Sequence, residues 1–134
     1  MPAEADLVAY LDPLVSETAG INLFEGPMPE APDNCVALTH YGSQRSDDYV
    51  MSASLSAPGS ELVDVQLMVR NTVKATAIAR AAAYHALLDN LQSVTIAGRS
   101  YFAIESDGEP YSLGQDLNYR WRYISNYHIR KARG

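Results

Sequence analysis

The sequence is poor in the residues that most catalytic and metal-binding chemistry needs. A single cysteine, Cys35, in 134 residues excludes an internal disulfide framework, fits a reducing compartment and leaves no cysteine pair for zinc. The three histidines, His40, His85 and His128, lie far apart, and none has a partner at metal-ligand spacing. No glycine loop of either common phosphate-binding type is present. The one acidic doublet, Asp47-Asp48, falls in a polar stretch where solvated charge is the expected state. Cys35 and a distant histidine could form a nucleophilic pair, but a strand cysteine used as a small apolar residue is the simpler account. No apolar run approaches the roughly 18 residues of a membrane span. The first residues, MPAEADL, are acidic where a secretory signal would be basic. The expectation is therefore a protein that folds in the cytoplasm of the cell making it, with no catalytic residues, cofactor, metal or membrane partner marked by the sequence.

Bases are also scarce in the first half. From Met1 to Glu61 there are ten acidic residues and one base, Arg45, whereas Asn118 to Gly134 holds five bases and no acid. The formal net charge of −6 speaks against general nucleic-acid binding, and the basic end lacks the density of a nucleic-acid arm. Two arrangements account for the segregation. The two ends can lie together and neutralise each other within one molecule, or one copy's basic edge can meet the acidic edge of the next, head to tail.

What the chain does have is a strong central unit from Glu61 to Leu91. Val63, Val65, Leu67 and Val69 alternate with Asp64, Gln66 and Met68, the period of a half-buried strand. Asn71 or Thr72 can then cap a helix of about 20 residues, roughly 30 Å long. Its inward stripe is expected to be Val73, Ala77, Ala81, Tyr84, Leu88 and Leu91. The reverse face carries Ala75, Ala79, Ala82, Ala83 and Ala86 in place of charges. Either alanine is there for helix propensity alone, or a second surface, the first helix or another subunit, comes close to it.

Around that unit the pattern predicts an amphipathic helix over Glu4–Glu17, with Leu7, Tyr10, Leu11, Leu14 and Val15 inward, divided by Pro13 near Leu11 or Asp12 and stopped by Gly20. A short extended piece follows at Ile21–Glu25, then a connector with Pro27, Pro29 and Pro32, then a strand over Cys35–Tyr41. Residues 42–60 read as a long mobile loop, within which Tyr49–Leu55 could pair weakly. Ser93–Ile96 and Tyr101–Glu105 form a hairpin turning at Gly98, and Ser106–Gln115 reads as turns. The last stretch, Leu117–Lys131, alternates more strictly than any other. Tyr119, Trp121, Tyr123, Ser125, Tyr127 and Ile129 share one face; Arg120, Arg122, Asn126, His128 and Arg130 share the other, with Ile124 among them. Aromatics and arginines on opposite faces do not make a base-stacking platform, which needs them together. The fold expected is α+β: one domain over residues 1–134, with a mixed, largely antiparallel sheet, an N-terminal helix and one long central helix packed on it.

Several blocks in order resemble the minor capsid or tail-terminator family of long-tailed bacteriophages. They are GINLFEG from Gly20 to Gly26, Pro29, PDNCVAL from Pro32 to Leu38, VQLMVR from Val65 to Arg70, LGQD from Leu113 to Asp116, Tyr119-Arg120, and Ser125 to Tyr127. The family pattern has an acid after Asp116 and a glycine before Arg120, where this chain has Leu117 and Tyr119. The resemblance implies a non-enzymatic, structural virion protein at the head-proximal end of the tail. Such a protein would be assembled in the host bacterial cytoplasm as a ring, commonly a hexamer, that caps the tail tube, stops its polymerisation and offers a face to the head's connector. Its implied partners are itself, the tail tube protein and head–tail connector proteins. A head-side connector or stopper, or a small ligand-binding module, are the alternatives. The candidate interface residues are Arg120, Arg122 and Arg130 as cations, Ala79, Ala83 and Ala86 as a close-approach face, and Asp47 and Asp48 as acids in the loop.

Overall fold

The computed structural model describes residues 3–45 and 60–132. Its frame is one sheet built on two long antiparallel strands, β3 (Ser60–Asn71) and β7 (Trp121–Ala132). β2 (Cys35–Arg45) flanks β3, and the short β1 (Leu23–Glu25) pairs parallel to β2. On the other side of β7 lie β5 (Arg99–Ser106), with β4 (Leu91–Ile96) beyond it, and β6 (Tyr111–Gln115). The order is β1-β2-β3-β7-β5-β4, with β6 also on β7, and every pairing but β1–β2 is antiparallel. The fold is thus α+β with a mixed, largely antiparallel sheet.

The alternation in β3 sets the core. Val63, Val65, Leu67 and Val69 are all buried and join Tyr127 and Ile129 of β7 beneath two helices, α1 (Ala3–Leu11) and α2 (Lys74–Leu88). α1 adds Leu7, Val8 and Leu11, and α2 adds Ala81, Tyr84 and Leu88. Full burial of each such aliphatic side chain contributes about 1.5–3 kcal/mol. Pro13 divides the N-terminal helix as its rigid φ and missing N–H require: α1 ends at Leu11, and a 3₁₀ turn covers Asp12–Leu14. Leu14, expected inside, is half exposed because the chain has turned off the helical stripe by then.

Other expectations need correction. The central helix has 15 residues rather than about 20. Val73 is extended and exposed at its start, since Asn71 forms an Asx turn with its Oδ1 accepting the Val73 N–H. Leu91 has already passed into β4. β2 runs on through Gly42–Arg45, after a register shift between His40 and Gly42, and Ser60 belongs to β3. The rest of the expected mobile loop, with the weak strand and Asp47-Asp48, lies outside the described residues. Tyr111–Gln115, read as turn, pairs with β7 as β6. The hairpin turn falls at Ala97-Gly98, both at positive φ, the geometry a tight two-residue turn demands.

Candidate functional site

The basic end and the acidic end of the chain meet within one molecule, and Arg120 is the centre of that meeting. It lies in the turn from β6 to β7 and is buried, 4 % exposed. Its Nε donates to Asp116 Oδ2 at 2.8 Å, Nη1 to the Glu30 carbonyl at 2.7 Å and to Asp33 Oδ1 at 3.3 Å, and Nη2 to Glu30 Oε1 at 3.1 Å. Asp116 also accepts the backbone N–H groups of Asn118 and Arg120, and the Arg120 N–H foremost holds its carboxyl below the usual range. Arg70 of β3, also buried, donates to the carbonyls of Glu30, Pro32 and Asp33. Two arginines therefore pin the proline-rich connector to the end of the sheet. Cys35 is buried at the same end, and that burial pushes its thiol up despite the nearby Arg70 and Arg120 charges.

The proposed cations thus divide. Arg120 is buried and committed to acids of its own chain, whereas the sequence reading set it on the outer face of the strand. Arg122 and Arg130 lie on the sheet face away from the helices, and among the described residues neither has a carboxylate within ion-pair distance. Arg122 donates to the carbonyls of Leu113 and Gln115, and the Arg130 guanidinium sits 5.8 Å from the Phe102 ring centre. Each has a buried Nε with no hydrogen-bond partner. Ala79 and Ala86 are exposed and Ala83 half-buried. With Ala75 and Ala82, and with Ile78 at 46 % exposed, they leave the outward side of α2 uncharged. α1 does not cover that side, so of the two neighbours considered for it, the first helix is excluded.

The sequence did not reveal the charges buried beneath the helices. Asp6 of α1, fully buried, accepts from Tyr101 Oη at 2.6 Å and from Arg99 at 3.2 Å. Lys131, 1 % exposed, pairs with Glu61 at 3.2 Å. Glu17 binds Arg80 through both carboxylate oxygens and accepts from Tyr84 Oη, and these bonds hold its pKa down although burial pushes it up. Parity offered one signal, since Lys131 continues the inward Tyr127–Ile129 series of β7. On the opposite sheet face His128 bridges Asp64, at 2.5 Å, and Asp107. Its pKa is raised, foremost by the Asp64 hydrogen bond; burial opposes this and comes next in size, and the Asp107 hydrogen bond adds to the rise.

The turn itself departs from the strand expected there. Tyr119, assigned to the aromatic core face, adopts φ 61° and is 76 % exposed, while Leu117 is 97 % exposed. β7 begins only at Trp121, so neither residue has a strand to direct it inward. The left-handed backbone falls where the resembling family carries glycine, the residue that adopts it without strain.

Among the described residues no set of three or more His, Cys, Asp and Glu side chains could hold a metal ion. No helix there is long and apolar enough to cross a membrane. Among curated proteins no match to the chain is found. A family model described as bacteriophage tail terminator protein matches residues 7–133, from within α1 to beyond the end of β7. That match covers nearly the whole chain and every element of the sheet, and the chain belongs to the bacteriophage tail terminator family, as a structural protein of the phage tail.

Proposed function

We propose that this protein caps the head-proximal end of the tail tube as a ring of copies, stops tube polymerisation there and offers a face on which the head's connector docks. The observation that carries the ring is the outward side of the 15-residue helix α2, where Ala75, Ala79, Ala82 and Ala86 are exposed beside Ile78, with no charge among them. A lone soluble chain normally puts charge there, and small side chains let a neighbouring backbone approach closely. Arg122 and Arg130, half-buried and without a carboxylate in ion-pair distance among the described residues, add cations for a neighbour's acids.

The test is tail assembly with and without the protein. Tube protein polymerised in its absence should give tubes of unregulated length, and adding the purified protein should restore a fixed length and leave an extra ring of density at one end in electron micrographs. Binding to isolated head connector but not to tube ends would instead assign it to the head side. Ala82→Glu on the outward helix face should abolish capping without unfolding the chain.

A further inference from the structure

On the sheet face away from the helices, His128 ties two separate segments of the chain together. Its Nδ1 meets Asp64 Oδ1 at 2.5 Å, and its Nε2 meets Asp107 Oδ1. A carboxylate only accepts, so each ring nitrogen must carry a proton to bond in this way, and only the imidazolium carries both. A neutral imidazole has one N–H, and its bare nitrogen turns a lone pair toward the remaining carboxylate. The two carboxylates differ in how firmly the chain holds them. Asp64 lies within β3, paired with Gly42 of β2 on one side and with His128 itself on the other. Asp107 follows β5 in the connection to β6. Its N–H donates to the Asn126 carbonyl at 3.0 Å, and its side chain is 54 % exposed. Beyond it Gly108 and Glu109 are exposed, and Pro110 leads into β6. The Asp107 carboxylate therefore tethers an otherwise surface-running connection to the sheet.

The neighbouring charges favour release of that tether once a proton is lost. β5 sets Glu105 directly across from His128, and Arg130, two residues on in β7, lines the same groove as both. β2 brings Tyr41 close. Burial foremost, then the Asp64 and Asp107 charges and Tyr111 of β6, push its hydroxyl pKa up, so it stays neutral. Among the described residues, Asp64, Glu105 and Asp107 thus face Arg130 and the imidazolium. Removing the imidazolium charge leaves those acids with Arg130 alone. Asp64 and Glu105 are held in strands, and Asp107, at the start of the connection, is the acid that can move away.

We propose that His128 is a proton-operated latch on the β5–β6 connection. As the imidazolium it clamps Asp107 to the sheet; on losing one proton it keeps the Nδ1 bond to Asp64 and releases Asp107. The connection then loosens from Asp107 to Tyr111, ahead of the strand that presents the exposed Tyr111 and Leu113. The latch is closed on the acidic side of the His128 midpoint and open on the alkaline side. It belongs to the single chain and does not depend on the assembly of copies.

The test is nuclear magnetic resonance of the full chain across pH. It follows the His128 ring nitrogens and amide hydrogen exchange over residues 105–112, corrected for the intrinsic pH dependence of exchange. Above the His128 midpoint the remaining ring proton should sit on Nδ1. The Asp107 amide should lose protection by about tenfold or more across that midpoint, while the Leu67 amide in β3 keeps its own. Asp107→Ala should show the open exchange rate in the connection at every pH and a lower His128 midpoint, and His128→Gln should remove the pH step. A proton on Nε2 above the midpoint, Asp107 exchange that ignores the His128 titration, or a pH step that survives His128→Gln would each overturn the latch. The first two readings come from wild type, so a variant that fails to fold does not protect the proposal.

Discussion

The two faces of the central strands obey the same alternation but reach different ends. On the helix-covered face, Val63, Val65, Leu67 and Val69 meet Tyr123, Tyr127 and Ile129 and are sealed by Leu7, Leu11, Tyr84 and Leu88. On the other face the register aligns Leu62 with Arg130, Asp64 with His128, Gln66 with Asn126, Met68 with Ile124 and Arg70 with Arg122. There most side chains are half-buried, and Arg70, Arg122 and Arg130, none with a carboxylate in ion-pair distance among the described residues, all lie there. The first face closes its interactions within one chain. The second keeps polar capacity in reserve, as a sheet with one solvated face commonly does.

The comparison is broken most directly by truncating neighbours in sequence. Leu67→Ala, on the sealed face, should lose about 3 kcal/mol of stability in urea unfolding, because the packed surroundings relax only in part around the cavity. Met68→Ala, one residue on and facing the other way, should lose about 1 kcal/mol from a site only half removed from water. Equal losses would mean that the outer face is packed as fully as the inner one.

Charge sharpens the contrast at a smaller scale. Asp6→Ala leaves the buried Tyr101 hydroxyl without its acceptor and Arg99 without its carboxylate, so a loss of about 2 kcal/mol is expected. The loss should be nearly independent of salt, since buried pairs are poorly screened. Unchanged stability would show that water replaces the carboxylate there.

The smallest effect belongs to His128, half exposed between Asp64 and Asp107. Its folded pKa is raised above the unfolded value near 6.5. The bridge therefore contributes fully below about pH 6.5 and is lost as pH rises through the folded pKa. Wild type should exceed His128→Gln in urea midpoint at pH 5.5, the gap narrowing at alkaline pH and in high salt. A gap that widens on going alkaline would reverse the assignment of charge at this histidine.

Much of the fold was legible because period carries it. Alternation over Val63–Val69 fixed both strand and buried face, and the Ala77–Ala81–Tyr84–Leu88 spacing fixed the inward stripe of α2. Gly98, with its neighbour Ala97, and Pro13 acted locally, each through its own backbone constraint. Legibility failed where local pattern and neighbourhood part company. Tyr119 and Arg120 continue the alternation of β7 on paper, yet the strand does not start until Trp121, because Asp116 captures the Asn118 and Arg120 N–H groups and turns the chain. Leu117 is exposed for the same reason. Val73 fits the helical stripe but precedes the helix.

For the candidate site, the sequence identified which residues are charged or small but not whom they meet. The segregation of acids and bases left two outcomes open, pairing within the chain or between copies. Arg120 with Glu30 and Asp33, and Lys131 with Glu61, take the first. Arg122 and Arg130 face the other way and meet no acid among the described residues. Composition, periodicity and ordered motifs by themselves determined the α+β class, the buried valines of β3 and the resemblance to tail terminators, since each depends on residues close together in the chain. Only the tertiary structure decided which charges are consumed and which remain at a surface, because partners 70 to 90 residues apart are brought together by sheet register and by the return of the connector across the end of the sheet.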